Sequence, residues 1–462
     1  MKQFKAFLIG ALVLTISLTA SSGNFNFNNP FNSSPQKPDV EKLLKQRIDS
    51  GKGYGIIVGI IEPEGITFYN YGRLGIDDPT PVTEDTVFEL GSLTKTFTAS
   101  LVQDMHEKNE LNLNDPIEKF FPCVHIPDYH GQKILLWHLL THTSGLPYLP
   151  YNFQCEDISN PFANYSIEKT FDFLNSFDLP RPPGKLYDYS NLSLGLVGYI
   201  ISNGSAANYQ QLLQERICKP LGLENTSLGP TPEMENKLSK AHIGDHVVPF
   251  WEFPVFFGTG GIYSTVKDLT IFLEAHMGKL NTILNDTFQK THQAYGAADA
   301  PDLKIALAWH IRENFSSKVI YHNGGTGGCR SYLGFCPDTQ RGVVILSNSA
   351  VNINDLGFHL VDSRYSLKKE DNVITLDSFI LDKYVGKYQH PSGLIFTISK
   401  KNKNLTVHLP GYPTAEIFPE TTTRFFLKIV TATVDFNFDD DNNVKGLEFA
   451  WSGSIHPAYK IQ

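Results

Sequence analysis

What the chain lacks narrows it first. After the opening twenty residues, no stretch of this 462-residue sequence is apolar for long enough to span a bilayer, which takes roughly 20 residues. No cluster of Lys and Arg is dense enough to line a nucleic-acid groove, and the net charge of −9 mixes both signs, so nucleic-acid binding is set aside. Cysteine is scarce. Cys123, Cys155, Cys218, Cys329 and Cys336 form an odd set with no Cys-x-x-Cys pair, so any disulfides leave at least one thiol over. There is no His-Glu-x-x-His. The acidic run DDDNN at 439–443 lacks the glycine a calcium loop needs at its sixth position, where Val444 stands, and reads as a solvated hairpin turn. Neither a metal nor a cofactor is expected.

What is present supports packed cores: 41% hydrophobic and 12% aromatic residues. The length exceeds what one core usually needs and predicts two domains plus a leader. MKQFKAFLIGALVLTISLTASSG has the plan of a signal peptide over 1–22. Lys2 and Lys5 precede an apolar run from Phe7 to Leu18, and Ala20-Ser21-Ser22 are small enough for cleavage. The protein is therefore expected to be exported, periplasmic or extracellular, with no transmembrane segment left after processing. Residues 23–39, rich in Asn, Ser and Pro, read as a linker.

From residue 40 a helix leads into YGIIVGIIEPEG and ITFYNYGRLG, a hairpin turning at Glu62-Pro63-Glu64-Gly65. Helical patterns dominate from Ser92 to about 285. Strand patterns return at KVIYHNGG, CRSYLGFCP and RGVVILSNS, and 353–366 reads as a closing helix. The expected fold is α+β: an antiparallel sheet made from both ends of residues 40–366, flanked by helices, with an all-helical lobe. A cleft between the lobes is the natural site. In 375–462, short β-rich runs separated by turn residues predict a small all-β barrel.

Ser-x-x-Lys occurs at Ser34, Ser92, Ser166, Ser264 and Ser366, so the spacing alone decides nothing. Context separates Ser92. LTKTFTASLVQDMHEKNEL reads as an amphipathic helix with Leu93, Phe97, Leu101 and Met105 on one face. Ser92 then lies at its N-terminus, where free N–H groups favour developing negative charge. Lys95 follows on the same side, and a desolvated lysine can take the proton that a serine must lose to become a nucleophile. The ordinary alternative is an N-cap; Ser264 looks like that case, with Thr265 and Asp268 forming a capping box. Two later segments add weight. Tyr189-Ser190-Asn191 follows a Pro183-Gly184 loop and precedes a helix; His322-Asn323-Gly324 ends a strand in a glycine-rich run that lacks the lysine of a phosphate loop. Alone, the first triplet could be a turn and the second a strand cap. His142 reads as a structural bond to a loop backbone, and Arg330 as meeting either a substrate carboxylate or a surface acid. The order of the segments is the specific signal.

In that order they resemble the three motifs of the penicillin-recognising serine hydrolases, in the branch shared by class C β-lactamases, D-Ala-D-Ala peptidases, D-aminopeptidases and related esterases. LGSLTKTFTA, LLWHLLTHTSGLP, PGKLYDYSN, GTGGIYSTVKDL and HNGGTGGCRSYLGFCPD all match segments typical of that branch. The C-terminal part is similar to the lipocalin-like β-domains appended to such hydrolases. The resemblance implies Ser92 as nucleophile, Lys95 as its proton-transfer partner and Tyr189 as proton relay, with a phenol pKa drawn down by the Lys95 ammonium if it acts as phenolate. It implies substrate contacts at Asn191, His322, Asn323, Gly324 and Gly325, with an oxyanion hole made by the N–H groups of Ser92 and Gly325, each worth about 3–4 kcal/mol. Gly324 and Gly325 would leave room for the acyl group. His322 stands where β-lactamases carry lysine, and Asn323 where they carry a hydroxyl, which weakens the hold on a carboxylate. The expected activity is a Ser92 acyl-enzyme hydrolase acting on an amide, β-lactam or ester carbonyl of a small-molecule or peptide acyl substrate. The alternatives are a carboxylesterase and a non-catalytic cell-wall-fragment binding protein; loss of Ser92, Lys95 or Tyr189 would signal the latter, and all three are present.

Overall fold

The computed structural model describes residues 38–461 apart from 155–156, 158, 316, 369–372, 392–393, 402, 410–413, 429–431 and 452–453. The leader expected at 1–22, most of the linker and Cys155 lie outside the described residues. Asp39, read as linker, is instead the N-cap of α1 (Val40–Asp49): its carboxylate accepts the Lys42 N–H at 3.1 Å.

β1 (Gly55–Glu62) and β2 (Gly65–Gly75) form the expected hairpin, with Glu62 opposite Gly65. β3 (Asp78–Pro81) adds an edge, and β4 (Val87–Glu89) leads into the helical lobe. Inside that lobe lie four short strands that the sequence did not reveal: β5 (Ser227–Leu228), β6 (Ala241–Ile243), β7 (His246–Val248) and β8 (Ile262–Thr265). The chain then rejoins the main sheet through β9 (Gly296–Ala297), β10 (Leu303–Ile305), β11 (His310–Asn314), β12 (Ser317–Gly325), β13 (Arg330–Cys336) and β14 (Arg341–Ser347). The order is β3-β2-β1-β14-β13-β12-β11-β10-β9. β1 pairs antiparallel with β14, Ile57 opposite Leu346, so the sheet is indeed built from distant segments.

GIIVGII, the strand short of Glu62, is apolar throughout because β1 is covered on both faces. Ile57 and Ile61 join the core shared with the helical lobe. Ile56, Val58 and Ile60 join a second core with Leu44 of α1 and Leu356 of the helix Asn354–Val361. Alternate side chains of a strand point to opposite faces. The same parity on β12 sends Ile320 to the helical lobe and Val319 and Tyr321 to the other core, so His322 shares the face of Ile320.

That face meets α2 (Thr94–Glu107), the helix that follows Ser92. It is not amphipathic as expected; every residue from Thr94 to Asp104 is buried. The polar residues are tolerated there because their hydroxyls are satisfied at once: Thr96 donates to the Leu93 carbonyl, Ser100 to Thr96 and Thr98 to Gly258. Phe97 stacks on Phe272, ring centres 4.0 Å apart, and so fixes α2 against the helix Val266–His276. Thr265, not Ser264, caps that second helix, accepting the Asp268 N–H at 3.1 Å, while Ser264 lies within β8 and bonds Thr226 Oγ1; the Asp268 carboxylate turns to Asn225 and Thr226 and leaves the expected capping box half made.

The C-terminal part closes into an antiparallel barrel of β15 (Gly386–Gln389), β16 (Ile395–Lys401), β17 (Asn404–His408), β18 (Ala415–Pro419), β19 (Arg424–Leu427), β20 (Ala432–Phe438), β21 (Val444–Trp451) and β22 (Ser454–Lys460). Tyr388, Phe396, Ile398, Leu405, Ile417 and Phe425 are buried inside it and form a core of their own. The run at 439–443 turns β20 into β21, its Asp439 carboxylate accepting the N–H groups of Asp441 and Asn443. Among the described residues, Cys123, Cys218, Cys329 and Cys336 are free thiols, and no helix is long and apolar enough to cross a membrane.

Candidate active site

Ser92 stands in a 3₁₀ turn, Gly91–Leu93, that joins β4 to α2. Gly91 enters the turn at φ +53°, a left-handed conformation that glycine adopts without strain. As one of the first residues of the helical segment, Ser92 has an N–H without an intrahelical carbonyl. Its Oγ receives hydrogen bonds from Lys95 Nζ at 2.9 Å and from Tyr189 OH at 3.1 Å. Lys95 Nζ also donates to the Thr259 carbonyl at 3.1 Å, which explains why the segment GTGGIYSTVKDL belongs to the pattern.

Lys95 is 0% exposed, and no carboxylate among the described residues offsets its burial. Desolvation therefore pushes its pKa well below the ordinary lysine value, toward the neutral amine. Burial raises the Tyr189 phenol above its ordinary value, against the smaller opposing effect of its bond to Ser92. The lowering of Tyr189 expected if it acts as phenolate is not seen; its burial raises it instead.

Tyr189 is placed by the residue after it. Ser190 caps the helix Asn191–Ile201; its Oγ accepts the Ser193 N–H at 3.0 Å and donates to the Pro147 carbonyl at 2.7 Å. Its N–H donates to His142 Nδ1 at 3.0 Å, and the His142 ring stacks on Tyr189 at 4.3 Å between centres. His142 thus bonds a loop backbone as expected, and the loop is the one that carries Tyr189. Asn191 opens the helix, its N–H donating to the Tyr148 carbonyl, while its side-chain Oδ1 is buried without a partner among the described residues. The Tyr148 ring, on an exposed residue, lies 6.2 Å from that of Tyr189 between centres.

His322, Asn323, Gly324 and Gly325 are the last four residues of β12. His322 is 1% exposed; its Nδ1 donates to the Asn323 carbonyl at 2.7 Å, which leaves Nε2 as a buried, unpartnered acceptor. His310 on β11 lies 5.2 Å from it between ring centres and bonds the Tyr187 hydroxyl at 3.0 Å. Burial holds His142 and His322 well below the usual imidazole range and brings His310 down to about 4. His322, expected to border a substrate anion, is thus a buried imidazole held toward its neutral form.

At Gly324 and Gly325, expected to leave room for the acyl group, a side chain would also run into the protein itself. A Cβ on Gly324 would stand 2.0 Å from the Leu90 carbonyl oxygen, and one on Gly325 2.8 Å from the Arg330 guanidinium. Arg330 pairs with no acid among the described residues; its Nη1 donates to the carbonyls of Thr326 at 2.7 Å and Cys329 at 2.9 Å, bracing the turn between β12 and β13. Among the described residues, no group of three or more His, Cys, Asp and Glu side chains is arranged to hold a metal.

Sequence reasoning passed over Glu89, Tyr148, Tyr187 and His310. Only Glu89 had left a signal: an acid within VFEL, an apolar run, has to be buried and satisfied by something distant. A hydroxyl held at once by a buried amine and a phenol is equipped to lose its proton on attacking a carbonyl and to pass that proton onward.

A family model described as Beta-lactamase matches residues 40–360, and one described as Domain of unknown function (DUF3471) matches 370–462. The D-alanyl-D-alanine-carboxypeptidase/endopeptidase AmpH of Escherichia coli is 26% identical over 387 residues, covering 76% of this chain and 96% of that protein. Penicillin-binding protein 4* of Bacillus subtilis is 24% identical over 411 residues, covering 81% and 87%. In structure, the chain resembles the octameric penicillin-binding protein homologue from Pyrococcus abyssi with a TM-score of 0.63 at 22% identity, over 91% of this chain and 100% of that one.

Proposed function

Because the chain belongs to the β-lactamase family of serine hydrolases, we propose that Ser92 is the residue it acylates, in the hydrolysis of an amide, ester or β-lactam carbonyl. One observation carries this reading: Ser92 Oγ lies within hydrogen-bonding distance of both Lys95 Nζ and Tyr189 OH. Lys95, neutral through burial, takes the proton as Ser92 Oγ forms its bond to the carbonyl carbon. Tyr189 gives its phenol proton to the leaving atom as the scissile bond breaks, and Lys95 returns a proton to Tyr189. Water then attacks the acyl-enzyme through the same pair and releases the acid. The N–H groups of Ser92 and Gly325 hold the oxyanion, Asn191 donates its amide to an acyl-side carbonyl, and His322, Asn323 and Gly324 border the substrate.

The name of the Escherichia coli relative supports a peptide with a D-residue beside the scissile bond as the substrate class. A second reading, a carboxylesterase, is favoured by the neutral lining of His142, His310 and His322, which offers hydrogen bonds without a charge to pair with a carboxylate. The leader sequence supports export to the periplasm or the medium. The test is to incubate the protein and Ser92→Ala with a fluorophosphonate, a chromogenic β-lactam, a p-nitrophenyl ester and a D-amino-acid anilide, following turnover and adduct mass. Adduct on wild type alone, with turnover lowered by about 10³-fold or more in Ser92→Ala, is the expected result. Absence of adduct and turnover with all four probes counts against a nucleophilic Ser92.

A further inference from the structure

Glu89 ends β4, three residues before Ser92, and is 1% exposed. Its carboxylate joins three separate segments. Oε2 accepts from Thr326 Oγ1 at 2.6 Å; Oε1 accepts from the Trp251 backbone N–H at 2.7 Å and from Tyr263 OH at 3.2 Å. Thr326 is the residue after Gly325, and its own N–H closes the turn onto the Cys329 carbonyl at 3.1 Å. An apolar side chain would fill the same space without the cost of burying a charge; what the carboxylate adds is direction.

The peptides on either side leave no slack. Leu90 N–H donates to the Ile262 carbonyl at 2.9 Å, and the Leu90 carbonyl accepts from Ser331 Oγ at 2.6 Å. Gly91 lies so close to Gly325 that a Cβ on it would be 2.7 Å from the Gly325 carbonyl oxygen. Backbone packing thus sets how near the two segments come, and the Glu89–Thr326 bond fixes how the Gly325 end is turned. The groups facing the carboxylate are Tyr263 from β8, Trp251 from the loop after β7, and Thr326 and Cys329 from the turn; none is cationic, and burial lifts Glu89 to about 7. Ionised, it accepts from the Thr326 hydroxyl; protonated, it can donate to that oxygen, so the link survives titration.

We propose that Glu89 is a positioning residue for the backbone N–H pair that receives the oxyanion: by holding Thr326 to the strand that leads into the Ser92 turn, it sets the Gly325 amide against the Ser92 amide. It touches no substrate. The proposal rests on the reading of Ser92 as the nucleophile.

A fluorophosphonate tests it without knowledge of the natural substrate, because its phosphoryl oxygen enters the oxyanion position. The maximal labelling rate kinact, the half-saturation constant KI and Tm are measured on the full chain for wild type, Thr326→Val, Thr326→Ala, Thr326→Ser, Glu89→Gln and Ser92→Ala. Thr326→Val is expected to lower kinact by about 10- to 100-fold with KI within about twofold, since a misaimed donor weakens only the transition state. Thr326→Ser is expected to restore kinact to within about threefold; Glu89→Gln, which keeps its bonds to Trp251 and Tyr263 and can donate its amide to the Thr326 hydroxyl as the protonated acid does, is expected to stay within about threefold. A wild-type kinact in Thr326→Val overturns the proposal, as does a loss confined to KI or one that Thr326→Ser fails to restore. If Thr326→Val does not fold, the kinact and KI of Thr326→Ala decide by the same split. No labelling of the wild type, or labelling that survives Ser92→Ala, overturns the reading of Ser92 and this proposal with it; loss of labelling in Ser92→Ala beside unchanged Thr326→Val overturns the positioning role alone.

Discussion

Lys95 brings an amine into the core with no countercharge, and this has a measurable sign. Its folded pKa is depressed from 10.5. Between the two values the unfolded chain binds a proton that the folded chain does not, so stability rises with pH across that window and is lost as pH falls. Lys95→Met is therefore expected to be more stable than wild type at pH 7, by on the order of 2 kcal/mol, with the gap closing toward pH 10. Urea unfolding at pH 7, 9 and 10 measures it, and a gap that is constant with pH contradicts a neutral Lys95. Ser92 labelling should rise with pH through the same depressed pKa and then level off. The three imidazoles nearby share the cause: burial, not a partner, keeps them neutral, so acidity in the cell's ordinary range does not charge them.

The junction of β4, the 3₁₀ turn and β12 is an element-level device, because it works through backbone contact. Gly91→Ala adds a Cβ 2.7 Å from the Gly325 carbonyl oxygen and demands φ +53° of a residue that resists it. A stability loss of about 1–3 kcal/mol is expected, with a fall in kinact that outlasts any correction for the unfolded fraction; thermal melts and labelling rates check both, and unchanged values would show that the two segments can part. Legibility in the sequence also divides at this scale. The β1–β2 hairpin and β12 to β14 were readable because seven or more residues establish a period. β5 to β10, of two to four residues each, have no room for one. α2 was misjudged because Thr96, Thr98 and Ser100 look like a wet face and are instead satisfied by nearby carbonyls in the core. Ser92, Lys95 and Tyr189 were found because their roles leave local spacing. Glu89 was not, since its partner Thr326 is 237 residues away.

At the scale of the whole molecule the barrel and the sheet keep separate cores. The barrel core gathers Tyr384, Tyr388, Phe396, Phe425 and Phe436 and shares no residue with the cores on either side of the sheet. We propose that the barrel and the hydrolase part respond separately to damage. Phe425 is 0% exposed and meets Tyr384 and Phe436 edge-on, so Phe425→Ala is expected to cost the barrel about 3–5 kcal/mol. In denaturant this should move an early transition while a later one, and the rate of Ser92 labelling in native buffer, stay in place. A single transition that shifts as a unit would show that the two parts melt together.

The pairing of β1 with β14 also bears on how the molecule is made. The bond from Gly55 to Asn348 spans 293 residues. At about 5–20 residues per second of synthesis, roughly 15–60 s pass between the appearance of GIIVGIIE and that of its partner. Through that interval the most apolar strand of the protein has one open edge, a template for the wrong neighbour unless something shields it. The helical lobe is what separates the two strands in time, so every residue inserted there lengthens the wait. The site's architecture therefore sets a demand on the machinery that delivers the chain, independent of any substrate it goes on to cleave.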